Sequence, residues 1–139
     1  MSVAEVNYLA VLGAAVAGWL FGAGWYMALA KPWMRASGWA SEAEMLGRGG
    51  KASPVPFVIA FAAEIVMAYL LAGLIAHLGE VNVWRSLVSA FFVWLGFVAT
   101  TTTVNYRFGR RSWLLTLIDG GHWLGVLLVM GLVIGLFGA

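Results

Sequence analysis

The chain contains no cysteine, which excludes a disulfide framework, a thiolate metal site, an iron–sulfur cluster and a thiol nucleophile. Charge is nearly as scarce. Only 10% of the 139 residues are Asp, Glu, Lys or Arg, where a soluble domain carries about 25%. The start, Met1-Ser2-Val3-Ala4-Glu5, lacks the basic n-region of a cleavable signal. The first apolar segment is also too long for an h-region, so it reads as a retained span. What fills the chain instead is apolar: 63% hydrophobic residues, with eight tryptophans and eighteen glycines. A chain this short has too little interior to hide that surface from water. Soluble enzymes, disordered chains and nucleic-acid binders are excluded. A small multi-span membrane protein remains, with the lipid bilayer as its first partner.

The few charges divide the chain. Residues 6–30 carry none, 52–79 carry only Glu64, 86–106 carry none, and 112–139 carry only Asp119. A bilayer core of about 30 Å takes about 20 residues of helix, so each segment crosses once, at about 6–30, 56–78, 86–106 and 112–136. No period-two alternation suggests barrel strands. The expected fold is a single all-α integral membrane domain, with four transmembrane helices in an antiparallel bundle.

Basic residues set the expected orientation. Lys31, Arg35, Arg48 and Lys51 lie in the first connection and Arg107, Arg110 and Arg111 in the third, against Arg85 alone in the second. The positive-inside rule then puts the first and third connections in the cytoplasm and both termini outside, in a bacterial inner membrane. Within the first connection, Ser41 and Glu44 form a capping box. It predicts a short interfacial helix ended by the glycine-rich stretch 47–50. Pro54 and Pro56 open the second span, while Trp33 and Trp39 suit the membrane interface.

A weak internal repeat is visible. Tyr26 precedes Trp33 by seven residues, with Lys31 between; Tyr106 precedes Trp113 by seven, with Arg110 and Arg111 between. Each following span carries one acid, Glu64 eight residues past Pro56 and Asp119 seven past Ser112. Both acids are then expected about 10–12 Å from the cytoplasmic end. Two tandem hairpins of one orientation would give this pattern. So would interfacial Tyr, Trp and Arg recurring at every cytoplasmic rim.

Small residues mark the faces where membrane helices approach closely. Ala10, Ala14, Gly18 and Gly22 form an i, i+4 row on the first span, and Ala60, Glu64, Ala68, Ala72 and Ala76 form one on the second. Glu64 is therefore expected to face another helix. The fourth span has Gly121 with Gly125 and Gly131 with Gly135; one pair could serve the bundle and the other a neighbouring protomer, which favours a homo-oligomer.

An acid inside a span costs about 2.5–3.5 kcal/mol on insertion scales and is a functional-site hypothesis by default. Asp119 and His122 are spaced i, i+3, so their side chains can meet. Thr100, Thr101, Thr102 and Thr103 make a turn of hydroxyls, Asn105 follows, and Trp25 and Tyr26 offer donors. Together with Glu64 these residues form the expected polar patch. As a functional site it would take a proton or cation; as a structural one, each acid would accept hydrogen bonds and fix helix register. His77, thirteen residues beyond Glu64, lies roughly 20 Å away along the helix, so it cannot share a haem with His122. No zinc-protease or di-iron spacing, nucleophile elbow or phosphate loop is present, so neither a cofactor nor an enzymatic activity is expected.

The stretch Asn7-Tyr8-Leu9-Ala10-Val11, a glycine-rich helix ending Gly22-x-x-Trp25-Tyr26, and then Lys31-x-Trp33-Met34 resemble the opening of a bacterial family of small four-span proteins, catalogued as domain of unknown function 1761. Its second half resembles Gly96-Phe97-Val98-Ala99-Thr100-Thr101, Asn105, a basic turn, Trp113 and Leu117-Ile118-Asp119-Gly120-Gly121-His122. The resemblance covers nearly the whole chain and implies a four-helix membrane protein without bringing an activity, cofactor or substrate. In that family an Asn often stands in place of Asp119 and a Tyr in place of His122, which implies that this pair is not an obligatory charged pair. Two functions stay open: binding or passage of a small cation, proton or hydrophobic molecule near Glu64, and an accessory or scaffold role in a larger membrane complex.

Overall fold

The computed structural model describes residues 6–39, 44 and 53–139. The capping box at Ser41 and Glu44, the glycine stretch after it, Arg48 and Lys51 lie outside or at the edge of the described residues. Four helices are long and apolar enough to cross a membrane. The first, α1, covers Tyr8–Ala28 and is followed by a short α2, Ala30–Ala36. The second span is α3, Val55–His77. The third, α4, covers Val83–Phe108, and the fourth, α5, covers Trp113–Phe137.

Local chemistry sets the helix ends. Asn7 accepts from the Ala10 amide, Asn82 from that of Arg85 and Ser112 from that of Leu115, so asparagine or serine caps each of α1, α4 and α5. Each cap satisfies an amide the first turn would otherwise leave open. Helix α1 stops at Ala28 because Pro32 has no amide to return to that carbonyl and its ring crowds it; the chain restarts as α2 in a new segment. Helix α4 extends beyond the uncharged stretch at both ends, because Arg85 and Arg107 fall in terminal turns where long cationic side chains reach the interface.

Helix α4 also changes its winding. It is π-helical over Trp94–Ala99 before resuming as α-helix over Thr100–Phe108. The threonine run belongs to this change. Thr100 donates to the Gly96 carbonyl (2.8 Å), Thr101 to those of Phe97 and Val98, and Thr103 to that of Ala99 (2.7 Å). In lipid a hydroxyl needs a partner, and here it takes one on its own helix, one turn back.

Packing centres on α1 and α5, which run antiparallel in close contact. Helix α3 packs chiefly on α1, and α4 chiefly on α5. The hairpins α1–α3 and α4–α5 are therefore real neighbours, joined through α1 and α5. A two-fold axis exchanging them would turn the α1–α5 contact into an equally close α3–α4 contact, and those two helices meet only sparsely. The hairpins are not symmetrically joined.

The glycines explain the close approach. A methyl group on Gly121 would lie 3.0 Å from the Trp25 indole, and one on Gly125 would meet the Phe21 ring, both on α1. A methyl on Gly131 would lie 2.9 Å from the Ser86 carbonyl oxygen, and one on Gly135 2.6 Å from Val83 Cα, both on α4. Both glycine pairs are thus occupied inside the chain. This corrects the expectation that one of them is left for a neighbouring protomer.

The core is built from small and branched residues: Ala14 and Ala15 on α1, Ala68, Leu71, Ala72 and Ile75 on α3, Ala90 on α4, and Val126, Met130 and Ile134 on α5. The two ends of the chain are tied where Asn7 Nδ2 donates to the Phe137 carbonyl at 2.9 Å.

Candidate functional site

Asp119 stands at the junction of three helices. Tyr26, from α1, donates its hydroxyl to Oδ1 at 2.6 Å; Tyr106, from α4, donates to Oδ2 at 2.6 Å. Indoles grip the backbone on either side. Trp25 Nε1 donates to the Ile118 carbonyl at 3.0 Å and Trp94 Nε1 to the Gly120 carbonyl at 2.8 Å. One turn of α5 is therefore held by a Trp and a Tyr from each neighbouring helix, and both carboxylate oxygens are used. Tyr106 and Trp94 are absent from the sequence-based patch. An intramembrane acid flanked by two helices calls for donors on both sides, and Tyr106, spaced like Tyr26, is the residue that pattern offered.

Nearby, Arg107 locks the α4–α5 turn. It donates to the carbonyls of Arg111 (2.9 Å) and Ser112 (3.2 Å) and to Thr116 Oγ1 (2.7 Å), while its guanidinium lies 3.7 Å from the Trp113 ring centroid. This bridging lets the chain reverse through Arg110, whose φ of 55° is in the left-handed region.

His122 does not bond Asp119. It packs its ring against Tyr26, centroids 4.8 Å apart, and against Trp123, 4.5 Å apart. Its Nε2 fills the space beside Gly22, where a methyl group would lie 2.6 Å away. His122 is buried, and its Nδ1 has no hydrogen-bond partner.

Glu64 is only 2% exposed, and its Oε1 also lacks a partner. It points at Gly18, where a methyl would lie 3.1 Å from Oε1, 3.1 Å from Val126 Cγ1 and 3.2 Å from Met130 Cε. The carboxyl thus enters an apolar seam between α1, α3 and α5. Gly18 and Gly22 are one turn apart on α1, so Glu64 and His122 line consecutive turns of the same glycine face.

This arrangement departs from the single-level patch expected from the sequence. Eight residues of α1, about 12 Å of helix, separate Gly18 beside Glu64 from Tyr26 beside Asp119. Equal depth assumes that α3 and α5 enter at equal heights. Glu64 is instead the ninth residue beyond the start of α3, and Asp119 the sixth beyond that of α5. Thr100, Thr101 and Asn105 are exposed and Thr103 half-buried, and the three threonines bond their own helix. None of these four comes to Glu64. Trp25, Tyr26, Asp119 and His122 do come together, with Glu64 a turn deeper than His122. His77 sits exposed in the last turn of α3, away from all of them.

Compared with known proteins, neither a curated protein nor a solved structure matches the chain. One family model does, over residues 9–135. Those bounds cover nearly all of the four spans and every residue of the cluster, so the chain belongs to the family described as "Protein of unknown function (DUF1761)".

Proposed function

We propose that the protein binds or passes a proton or small cation at Glu64, inside the membrane, with His122 as the adjoining polar group. The observation that carries this reading is the buried, unpartnered Oε1 of Glu64 in an apolar seam. A buried ionised carboxylate without a partner costs several kcal/mol. Such a group therefore carries a proton when the seam is empty or meets a cation when it is filled. Asp119 is different: its two tyrosine donors stabilise it where it is, and it serves as the register lock of α5. The glycine face favours small ligands, because the space beside Gly18 and Gly22 is already taken by the Glu64 carboxyl and the His122 ring, which leaves none for a large organic molecule. No nucleophile belongs to this reading, and it is not that of an enzyme.

We place both basic connections in the cytoplasm of a bacterial inner membrane, with the termini outside. In this frame Tyr26, Asp119 and His122 lie between Glu64 and the cytoplasmic rim.

The test is flux into proteoliposomes driven by a proton or sodium gradient. Glu64→Gln keeps the shape and removes the exchangeable charge, so it should lower the protein-dependent flux by at least about tenfold, with an unchanged thermal midpoint. Flux equal to that of the parent chain would end this reading.

A second reading, an accessory subunit, draws on α4. Only 6% of its apolar window is buried within the chain, against 28–39% for the other spans. Its exposed Trp84, Phe92 and Phe97 are available to lipid or to a membrane partner. Purification in mild detergent with a defined second protein attached, and no gradient-driven flux, is the outcome that favours it.

A further inference from the structure

At the end of α1 the chain forms a second, separate polar feature. An open surface groove of about 350 Å³ lies there, lined by Lys31, Met34, Arg35 and Trp39. Lys31 and Arg35 are i, i+4 on α2, both are exposed, and neither has an ion-pair partner among the described residues. More positive charge is brought to the same corner. Ser112 Oγ donates to the Ala36 carbonyl at 3.0 Å, fastening the end of α2 to the α4–α5 turn that carries Arg110 and Arg111. Both of those arginines are exposed. The position is equally defined: α2 begins two residues after the first span ends, which is the level of lipid headgroups. Met34 and Trp39 give the groove an apolar side, and an indole suits that half-wet level.

We propose that this corner binds the phosphate of an anionic phospholipid, with Lys31 and Arg35 as its principal cations and Arg110 and Arg111 adding to the local field. Charge and place favour a lipid over a free anion. Met34 and Trp39 offer apolar surface to the glycerol and upper acyl carbons, which inorganic phosphate lacks. Basic pockets at the membrane surface between helices have this chemistry. The site is remote from Glu64, so it stands or falls apart from the proposed ion site.

The experiment is native mass spectrometry of the full chain released from nanodiscs of equal phosphatidylglycerol and phosphatidylcholine. Each cation near the surface contributes about a fivefold preference, so the parent chain should retain phosphatidylglycerol over phosphatidylcholine by about tenfold or more. Lys31→Gln with Arg35→Gln should bring the ratio near one. Lys31→Arg with Arg35→Lys should preserve it, and so should Arg85→Gln at the opposite end of the bundle. Thermal midpoints of all variants verify folding. Equal retention of both lipids by the parent chain would overturn the proposal, as would an unchanged ratio in the double glutamine variant or an equal loss in Arg85→Gln. Inorganic phosphate binding to the delipidated chain through Lys31 and Arg35, with no lipid preference, would also overturn it and assign the site to a free anion.

Discussion

Gly135→Ala should destabilise the protein by about 1–3 kcal/mol, the usual cost of overpacking a close contact. The added methyl would lie 2.6 Å from Val83 Cα and 3.0 Å from Val83 N. Those are backbone atoms at the start of α4, so no side-chain rotation relieves the clash; the two helices must separate. Separation also disturbs the next contact along, where Gly131 meets the Ser86 carbonyl. In lipid, helices associate through van der Waals packing rather than a hydrophobic drive, so lost proximity is lost stability. Gly73→Ala is the matched control, since a methyl there meets nothing within 4 Å. It should be neutral or slightly stabilising, because alanine constrains the backbone better than glycine. Unfolding in mixed micelles by added dodecyl sulfate measures both. A Gly135→Ala protein as stable as Gly73→Ala would contradict the packing of α5 on α4.

The second large effect is expected at Asp119. Asp119→Ala removes the acceptor of two hydroxyls, from Tyr26 and Tyr106, and leaves both partly buried without a partner. Interhelical hydrogen bonds in membranes contribute about 0.6 kcal/mol on average and up to about 1.7. Losing two should therefore cost about 1–3 kcal/mol in the same unfolding assay. Asp119→Asn should cost much less. Its carbonyl still accepts from one tyrosine, and its amide can donate to the other, whose hydroxyl turns to accept. Double-mutant cycles check the assignment: Tyr26→Phe and Tyr106→Phe should each couple to Asp119→Ala, so that the cost of either Phe substitution largely vanishes in the Asp119→Ala background. Additive effects throughout would remove the three-helix clamp from this account.

How much of this was legible in the sequence depends on the range of the interaction. The four spans follow from where charges are missing, because lipid penalises charge wherever it occurs. The rows Ala10–Ala14–Gly18–Gly22 and Ala60–Glu64–Ala68–Ala72–Ala76 stand out because helical periodicity puts each on one face, and all are buried in the structure except Ala60 and Ala76, which are half-buried. The depth of the two acids was not legible, since it depends on where each helix begins. The threonine run misleads for a local reason: a hydroxyl that can bond its own helix one turn back needs no site across the bundle. The π-helical segment at Trp94 was equally hidden. It rests on one extra residue in the winding, yet it accompanies the turn that brings the Trp94 indole to the Gly120 carbonyl. The two glycine pairs of α5 look alike in sequence, and only packing shows that one faces α1 and the other α4.

Infrared difference spectroscopy of the protein in lipid decides whether Glu64 is an exchangeable ion or proton site within the membrane. The carbonyl stretch of a protonated carboxylic acid is separate from carboxylate bands, and Glu64→Gln identifies which signal is Glu64's. An exchangeable Glu64 gives a protonated-acid band that is absent from Glu64→Gln and that converts reversibly to carboxylate when alkali or sodium is added from the aqueous phase. A Glu64 band that stays fixed under every pH and cation tested would contradict it and make Glu64 an inert buried acid.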